Sequence, residues 1–170
     1  MTSVIAEMEA CIPSLRRYAS ALLRDHQQVD DLVHDCLVLA LDRLQTLRED
    51  GQLRAWLFTI LHNLFVSQVR RAKVRGTTVP IDAADEVVFD RRPKQDDYMH
   101  AHDLMRALLR LPEEQRSVLL LVAVEDLSYA EVARVMRVPI GTVMSRLSRA
   151  REKLRREACM TQPSALRRVK

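Results

Sequence analysis

The stretch Leu127–Arg156, LSYAEVARVMRVPIGTVMSRLSRAREKLRR, decides the fold. Ser128 and Glu131 stand three apart ahead of Val132, Ala133 and Met136, so a capping box satisfies two orphan amides and starts a short helix. That helix is expected to stop at Arg137-Val138-Pro139. The ring of Pro139 biases Val138 away from helical angles, while its own fixed φ suits the first position of a new helix. In the second helix Val143, Leu147, Ala150 and Leu154 recur at helical spacing and make the expected buried stripe, which leaves Met144, Ser145, Ser148 and Arg149 pointing the other way. Two helices across so tight a turn, the second with a small, hydroxylated and basic outer face, predict a helix-turn-helix that lays its recognition helix in the major groove. Between Arg146 and Arg156 stand Arg146, Arg149, Arg151, Lys153, Arg155 and Arg156 against the single acid Glu152. A solvated hairpin closing a bundle would explain the periodicity but not this density, which suits phosphate contact and counterion release.

Working outward, the charge distribution agrees. Residues 1 to 72 hold 8 Lys/Arg and 9 Asp/Glu, residues 73 to 97 hold 5 and 6, and residues 98 to 170 hold 14 and 8. The basic excess therefore lies wholly in the part that carries the helix-turn-helix, as a nucleic-acid partner requires. Cys11, Cys36 and Cys159 are odd in number and far apart, so they read as small hydrophobes rather than as a disulfide or zinc framework. No apolar run approaches the about 20 residues of a membrane span, and no secretory leader pattern opens the chain, so no membrane insertion and a cytoplasmic location are expected. Few glycines and almost no β-branched alternation predict an all-α protein.

Upstream, Val4, Ile5, Met8, Ile12, Leu15, Tyr18, Ala19, Leu22 and Leu23 form an amphipathic stretch that Pro13 is expected to divide, its longer helix ending near Asp25-His26. A second helix is expected from about Val29-Asp30-Asp31. It turns Leu32, Val33, Cys36, Leu37, Ala40, Leu41 and Leu44 inward and shows Asp30, Asp31, His34, Asp35 and Asp42 outward. Gln45 to Gln52 reads as a loop, followed by a third helix from Leu53 to Arg71 with Leu53, Trp56, Leu57, Ile60, Leu61, Leu64 and Phe65 as its stripe. Trp56 is read as core. Among the polar positions Thr59, His62, Asn63, Gln68, Arg70 and Arg71, amides can read base edges and the paired arginines can take phosphate, beside the plainer reading of a solvated face. Residues 73 to 97 lose periodicity and read as an interdomain linker whose Val79, Ile81, Val87, Val88 and Phe89 are expected to dock for part of its length. Tyr98 to Leu109 resumes as helix, Leu111-Pro112-Glu113-Glu114 starts another, and the tail TQPSALRRVK is expected to fray.

No paired carboxylates, His-Cys ligand spacing, glycine-rich phosphate loop or nucleophile motif appears. His26, His34, His62, His100 and His102 are scattered, so no catalytic residue, metal or cofactor is expected: a reader, not a catalyst.

With these pieces assembled, the chain resembles over nearly its whole length the extracytoplasmic-function group of bacterial sigma-70 family sigma factors. DDLVHDCLVLAL at 30 to 41, LRAWLFTILHNLFVSQVRR at 53 to 71, LPEEQRSVLLL at 111 to 121 and SYAEVARVMRVPIGTVMSRLSRAREKLR at 128 to 155 carry the resemblance, in the family's order. It implies two small helical domains joined by a flexible linker: a sigma region 2-like domain over 1–72, the linker over 73–97, a sigma region 4-like helix-turn-helix domain over 98–160 and a tail over 161–170. The first would bind core RNA polymerase and the minus-10 promoter element, the second the minus-35 element. Residue by residue, Asp30, Asp31, His34, Asp35 and Leu39, with Leu32 beside them, match the polymerase-binding surface. Asn63 matches the asparagine beside the pocket for a flipped minus-10 base, with Leu47, Gln68, Arg70 and Arg71 completing the minus-10 set. Thr142, Met144, Ser145, Arg146, Ser148, Arg149 and Lys153 fall on the minus-35 side. Met144 and Ser148 stand where some members carry arginine and an aromatic, and Leu47 where some carry an aromatic, so neither promoter element can be borrowed from them.

The resemblance further implies a stress-responsive factor held by an anti-sigma protein. That protein is expected to cover Asp30 to Leu44 and an apolar face of Val118, Leu119 and Val122, until release lets the linker extend. Two other readings compete: a helix-turn-helix regulator acting without core polymerase, and a protein-interaction adaptor using the acidic second helix. Promoter-specific initiation with core polymerase separates them.

Overall fold

Helical spacing from Val4 onward yields one uninterrupted helix, α1 (Thr2–Leu22), that buries Met8, Leu15, Tyr18, Ala19 and Leu22. Pro13 does not divide it. It lies inside the helix on the exposed side. There its cost of about 3 kcal/mol is outweighed by side chains buried on either side of it, each contributing roughly 1.5–3 kcal/mol. The computed structural model that gives these positions describes residues 2–23, 25–47, 53–75 and 104–161. The expected loop beyond Leu47, the linker from 76 with its apolar residues, His100, His102 and the tail from 162 lie outside the described residues.

Helix α2 (His26–Asp42) starts earlier than the Val29 expected, because Asp25 caps it: the Asp25 carboxylate accepts from the Gln27 amide at 2.9 Å and from the Gln28 side chain at 3.1 Å. Val29, Leu32, Val33, Cys36 and Ala40 are buried. Leu41, expected inward, is 51% exposed and Val38 46%, because both fall one helical step off that stripe. A 3-10 turn, Leu44–Thr46, ends the unit.

Helix α3 (Leu53–Val74) runs past the Arg71 expected and takes in the first residues of the expected linker, Lys73 and Val74; it buries the expected Leu53, Leu57, Ile60, Leu61 and Phe65, but also Ala55, Phe58 and His62. It packs against α1 and α2, and on another side against a helix of the C-terminal half, so one stripe does not describe it. Trp56 and Leu64, placed in the stripe, are half-buried.

The C-terminal half runs through α4, described over 104–109, α5 (Glu113–Ala123), α6 (Tyr129–Met136) and α7 (Ile140–Thr161). Pro112 precedes α5 as expected, with Glu113 and Glu114 in the first turn. The capping box of α6 is complete: the Ser128 amide donates to Glu131 Oε2 at 2.8 Å, and the Glu131 amide donates to Ser128 Oγ at 3.3 Å. The helix stops because Arg137 turns left-handed, φ 54° and ψ 46°, and the Val138 amide returns to the Ala133 carbonyl at 3.0 Å. Pro139 then accepts from the Thr142 amide at 2.9 Å, starting α7.

Helix α5 packs on α7 and α1, while α6 packs on α7 and α3. The buried side chains of both halves make one contiguous core. Val118 and Leu119, expected to await an inhibitor, are therefore already buried in the chain's own packing, and Val122 is half-buried. Among the described residues there is no strand, and no helix is long and apolar enough to cross a membrane.

Candidate nucleic-acid interface

Helix α7 divides its side chains as the spacing requires. Val143, Leu147 and Ala150 are at most 2% exposed, Leu154 is half-buried, and Met144, Ser145, Ser148 and Arg149 are exposed together on the far side. Ser145 donates its hydroxyl to the Thr142 carbonyl at 3.0 Å, an exchangeable local bond, and Thr142 itself is half-buried. Two cations of the expected DNA set are engaged within the half. Arg146 pairs with Glu114 of α5 at 2.6 Å, and Lys153 donates to the Arg110 carbonyl just past α4 at 2.6 Å. Both brace α7 against its neighbours. Arg155 and Arg156 pair with Glu152 at 2.9 and 3.0 Å, while Arg149 and Arg151 lie exposed.

On α3, Asn63 is half-buried in a cleft of about 220 Å³ shared with Leu39, Arg43, Trp56 and Arg137. Nearby Thr59 and Ser67 donate to their own helix, to the carbonyls of Ala55 and Asn63, both at 2.8 Å. Gln68 is half-buried, and Arg70 and Arg71 are exposed toward the helix end. Leu47 packs partly buried against the core. The structure thus brings Asn63 together with Leu39, which was placed in the polymerase set. Leu47 is not among the residues that line the cleft.

On α2, Asp30, Asp31, His34 and Asp35 are exposed and Leu39 is half-buried. Asp30 pairs with Arg16 of α1. The exposed Val38 and Leu41 make this face mixed acidic and apolar, a feature the inward reading of Leu41 concealed.

Sequence reasoning missed the junction between the halves. The Glu125 carboxylate is fully buried and accepts from Arg17 of α1 at 2.8 and 2.9 Å and from Arg54 of α3 at 2.8 Å. The Arg54 guanidinium also lies 5.6 Å from the centroid of the Phe58 ring. Beside these, the Tyr18 hydroxyl and His62 Nδ1 share a buried hydrogen bond of 3.1 Å. Burial, then the charge of Arg146, holds the His62 imidazole down at about 4, and burial pushes the Tyr18 phenol up. No local pattern marks Glu125 as buried, since it follows an apolar run and precedes Asp126 like any turn acid. His62 had a usable signal, three residues before Phe65 of the expected stripe, whose ring lies 6.4 Å from its own.

Comparison with known proteins bears on both halves. Residues 8–62 match the Sigma2 domain of PhyR family, and residues 101–154 match the Sigma-70, region 4 family. The chain is 37% identical over 145 residues to the ECF RNA polymerase sigma factor EcfG of Rhodopseudomonas palustris (strain TIE-1), covering 85% of this chain and 79% of that one. It is 34% identical over 142 residues to the ECF RNA polymerase sigma factor SigM of Mycobacterium tuberculosis, covering 84% and 70%. Its fold is similar to that of the sigma factor RpoE from Bartonella quintana, solved in complex with the anti-sigma factor NepR. The TM-score is 0.80, the identity 30%, and the match covers 95% of this chain and 100% of that one.

Proposed function

The chain belongs to the extracytoplasmic-function group of RNA polymerase sigma factors, and we propose that it works as a specificity subunit with no chemistry of its own. In this reading it binds core RNA polymerase through α2 and directs promoter-specific initiation. Asp31, His34 and Asp35 supply the charged part of that contact, and Leu39, Val38 and Leu41 the apolar part. Asn63 and its neighbours Gln68, Arg70 and Arg71 meet the minus-10 element. A base out of the stack costs a few kcal/mol, which contacts at a pocket can recover, so trapping it helps to melt the duplex without a nucleotide being hydrolysed. Met144, Ser145, Ser148 and Arg149 read the minus-35 element, with Arg151 on phosphate. The N-terminal unit, through the end of α3 at Val74, and residues 98–160 act as the two reading units, with the chain between them as the tether. The work takes place in the cytoplasm, where polymerase and DNA are.

The observation that carries this reading is the exposed face of α7, where Met144, Ser145, Ser148 and Arg149 stand together opposite the buried Val143, Leu147 and Ala150. We further propose an anti-sigma partner, because the similar RpoE chain was solved bound to one. In this reading the partner covers the exposed part of α2, since Val118 and Leu119 are buried in the chain's own packing.

The test is reconstitution with core polymerase. The chain should confer initiation at a defined promoter, and Arg149→Ala should lose discrimination at one base step by about 1–3 kcal/mol, while Arg155→Ala weakens all sequences alike. DNA binding without any initiation would leave the simple regulator standing instead.

A further inference from the structure

We propose that the free factor closes upon itself and that Glu125 is the latch. The proposal rests on the sigma-factor reading for what closure prevents, but not for the closure itself. A carboxylate is buried only where its charge is met, and every hydrogen bond made to Glu125 by Arg17 and Arg54 crosses from the N-terminal half, from positions 108 and 71 residues away. The donor geometry is strong. Arg17 delivers two N–H groups, one to each carboxylate oxygen, and Arg54 a third.

The latch is separable from the folding of either half. The turn that carries Glu125 is set by its own backbone, with the Glu125 amide on the Leu120 carbonyl at 3.1 Å and the Leu127 amide on the Leu121 carbonyl at 3.0 Å. The guanidinium-bearing side chains of Arg17 and Arg54 are 48% and 40% exposed even when paired. If the halves part, all three groups pass into water. The ion pairs therefore act on the balance between closed and open forms together with the apolar packing of α5 on α1 and of α6 on α3.

Closure has a direct consequence for the reading faces. It lays α6 on α3 and brings Arg137, at the left-handed turn between α6 and α7, into the cleft that holds Asn63 and Trp56. A factor closed in this way cannot offer that cleft to a strand of DNA. Its α2 face stays outward, with Asp31, Asp35, Val38 and Leu41 exposed, so polymerase can dock on the closed form and opening follows. An inhibitor would then secure a closure that the chain already makes.

The experiment is small-angle scattering on the full chain, without any partner, for the parent and for Glu125→Gln. Initiation with core polymerase is measured alongside at limiting factor. The parent should scatter as one compact particle and Glu125→Gln as a larger one, with a half-saturating concentration for initiation lower by roughly tenfold, because the competent fraction rises. Arg17→Gln, made at a half-exposed side chain, should move both readings the same way and serves if Glu125→Gln does not fold. A parent already extended, or variants as compact as the parent, would overturn the latch. Expansion of the variants with no initiation by any of the three proteins would uphold the latch and remove the sigma-factor reading.

Discussion

His62 shows at the scale of one residue how burial turns an ordinary side chain into a determinant of stability. Its imidazole is shut between α1 and α3, bonded to the Tyr18 hydroxyl, and held neutral down to about 4 by burial first and by Arg146 second. An unfolded histidine takes its proton near 6.5. The neutral form is thus favoured by folding, and its stabilisation is complete above about 6.5 and lost as pH falls toward 4. Between pH 7 and 5 the loss should be roughly 2 kcal/mol, read as a shift in the urea midpoint. His62→Gln should flatten that part of the profile, and an unchanged slope would assign it to other groups. By spacing the position reads as polar surface, and it is buried because α3 is covered on more sides than a single stripe allows. Cys36, by contrast, was legible as a small hydrophobe: it is buried, donates to the Leu57 carbonyl at 3.6 Å, and burial pushes its thiol up to about 12.

At the scale of elements, legibility followed the range of the forces involved. The α6–α7 unit could be read almost to the residue because its signals are local: a box three residues wide, a proline, and a stripe. The ends of α1 and α2 are less legible, since Pro13 carries the local signature of a breaker and Asp25 that of an ordinary loop acid. A consequence for α6 can be measured. Glu131 is held below the usual carboxylate range chiefly by the hydrogen bond from Ser128, so the box contributes above the unfolded carboxyl value and is lost as pH falls through the lowered one. Ser128→Ala should cost about 1 kcal/mol near neutral pH, and the difference from the parent should shrink in acid. Thermal melts at the two pH values are sufficient, and a pH-independent difference would point to the backbone rather than the carboxylate.

For the molecule as a whole, the composition shows where the basic excess lies but not how the ends meet each other. Arg17, Arg54 and Glu125 are joined by geometry alone, and a buried acid has the same sequence signature as an exposed one. What does follow from the charge distribution is polarity. The first 72 residues are nearly balanced, with 8 Lys/Arg against 9 Asp/Glu, and the last 73 are basic, with 14 against 8, so the long-range pull on DNA is strongest at the C-terminal end. The exposed face of α2 is acidic locally, with Asp31 and Asp35 flanked by Val38 at 46% and Leu41 at 51% exposure. Charge and apolar area should contribute to polymerase binding in ways that salt can separate. Reversing Asp31 and Asp35 to lysine should leave the melting temperature near the parent's, since both are exposed, yet cost several kcal/mol of core affinity if each then faces a like charge. That loss should narrow at high salt. Val38→Ala with Leu41→Ala should instead weaken binding by a similar factor at low and high salt, because removing area from a dry contact is not screened. Titration of core polymerase at two ionic strengths checks both. Unchanged affinity for all four substitutions would move the polymerase contact off α2.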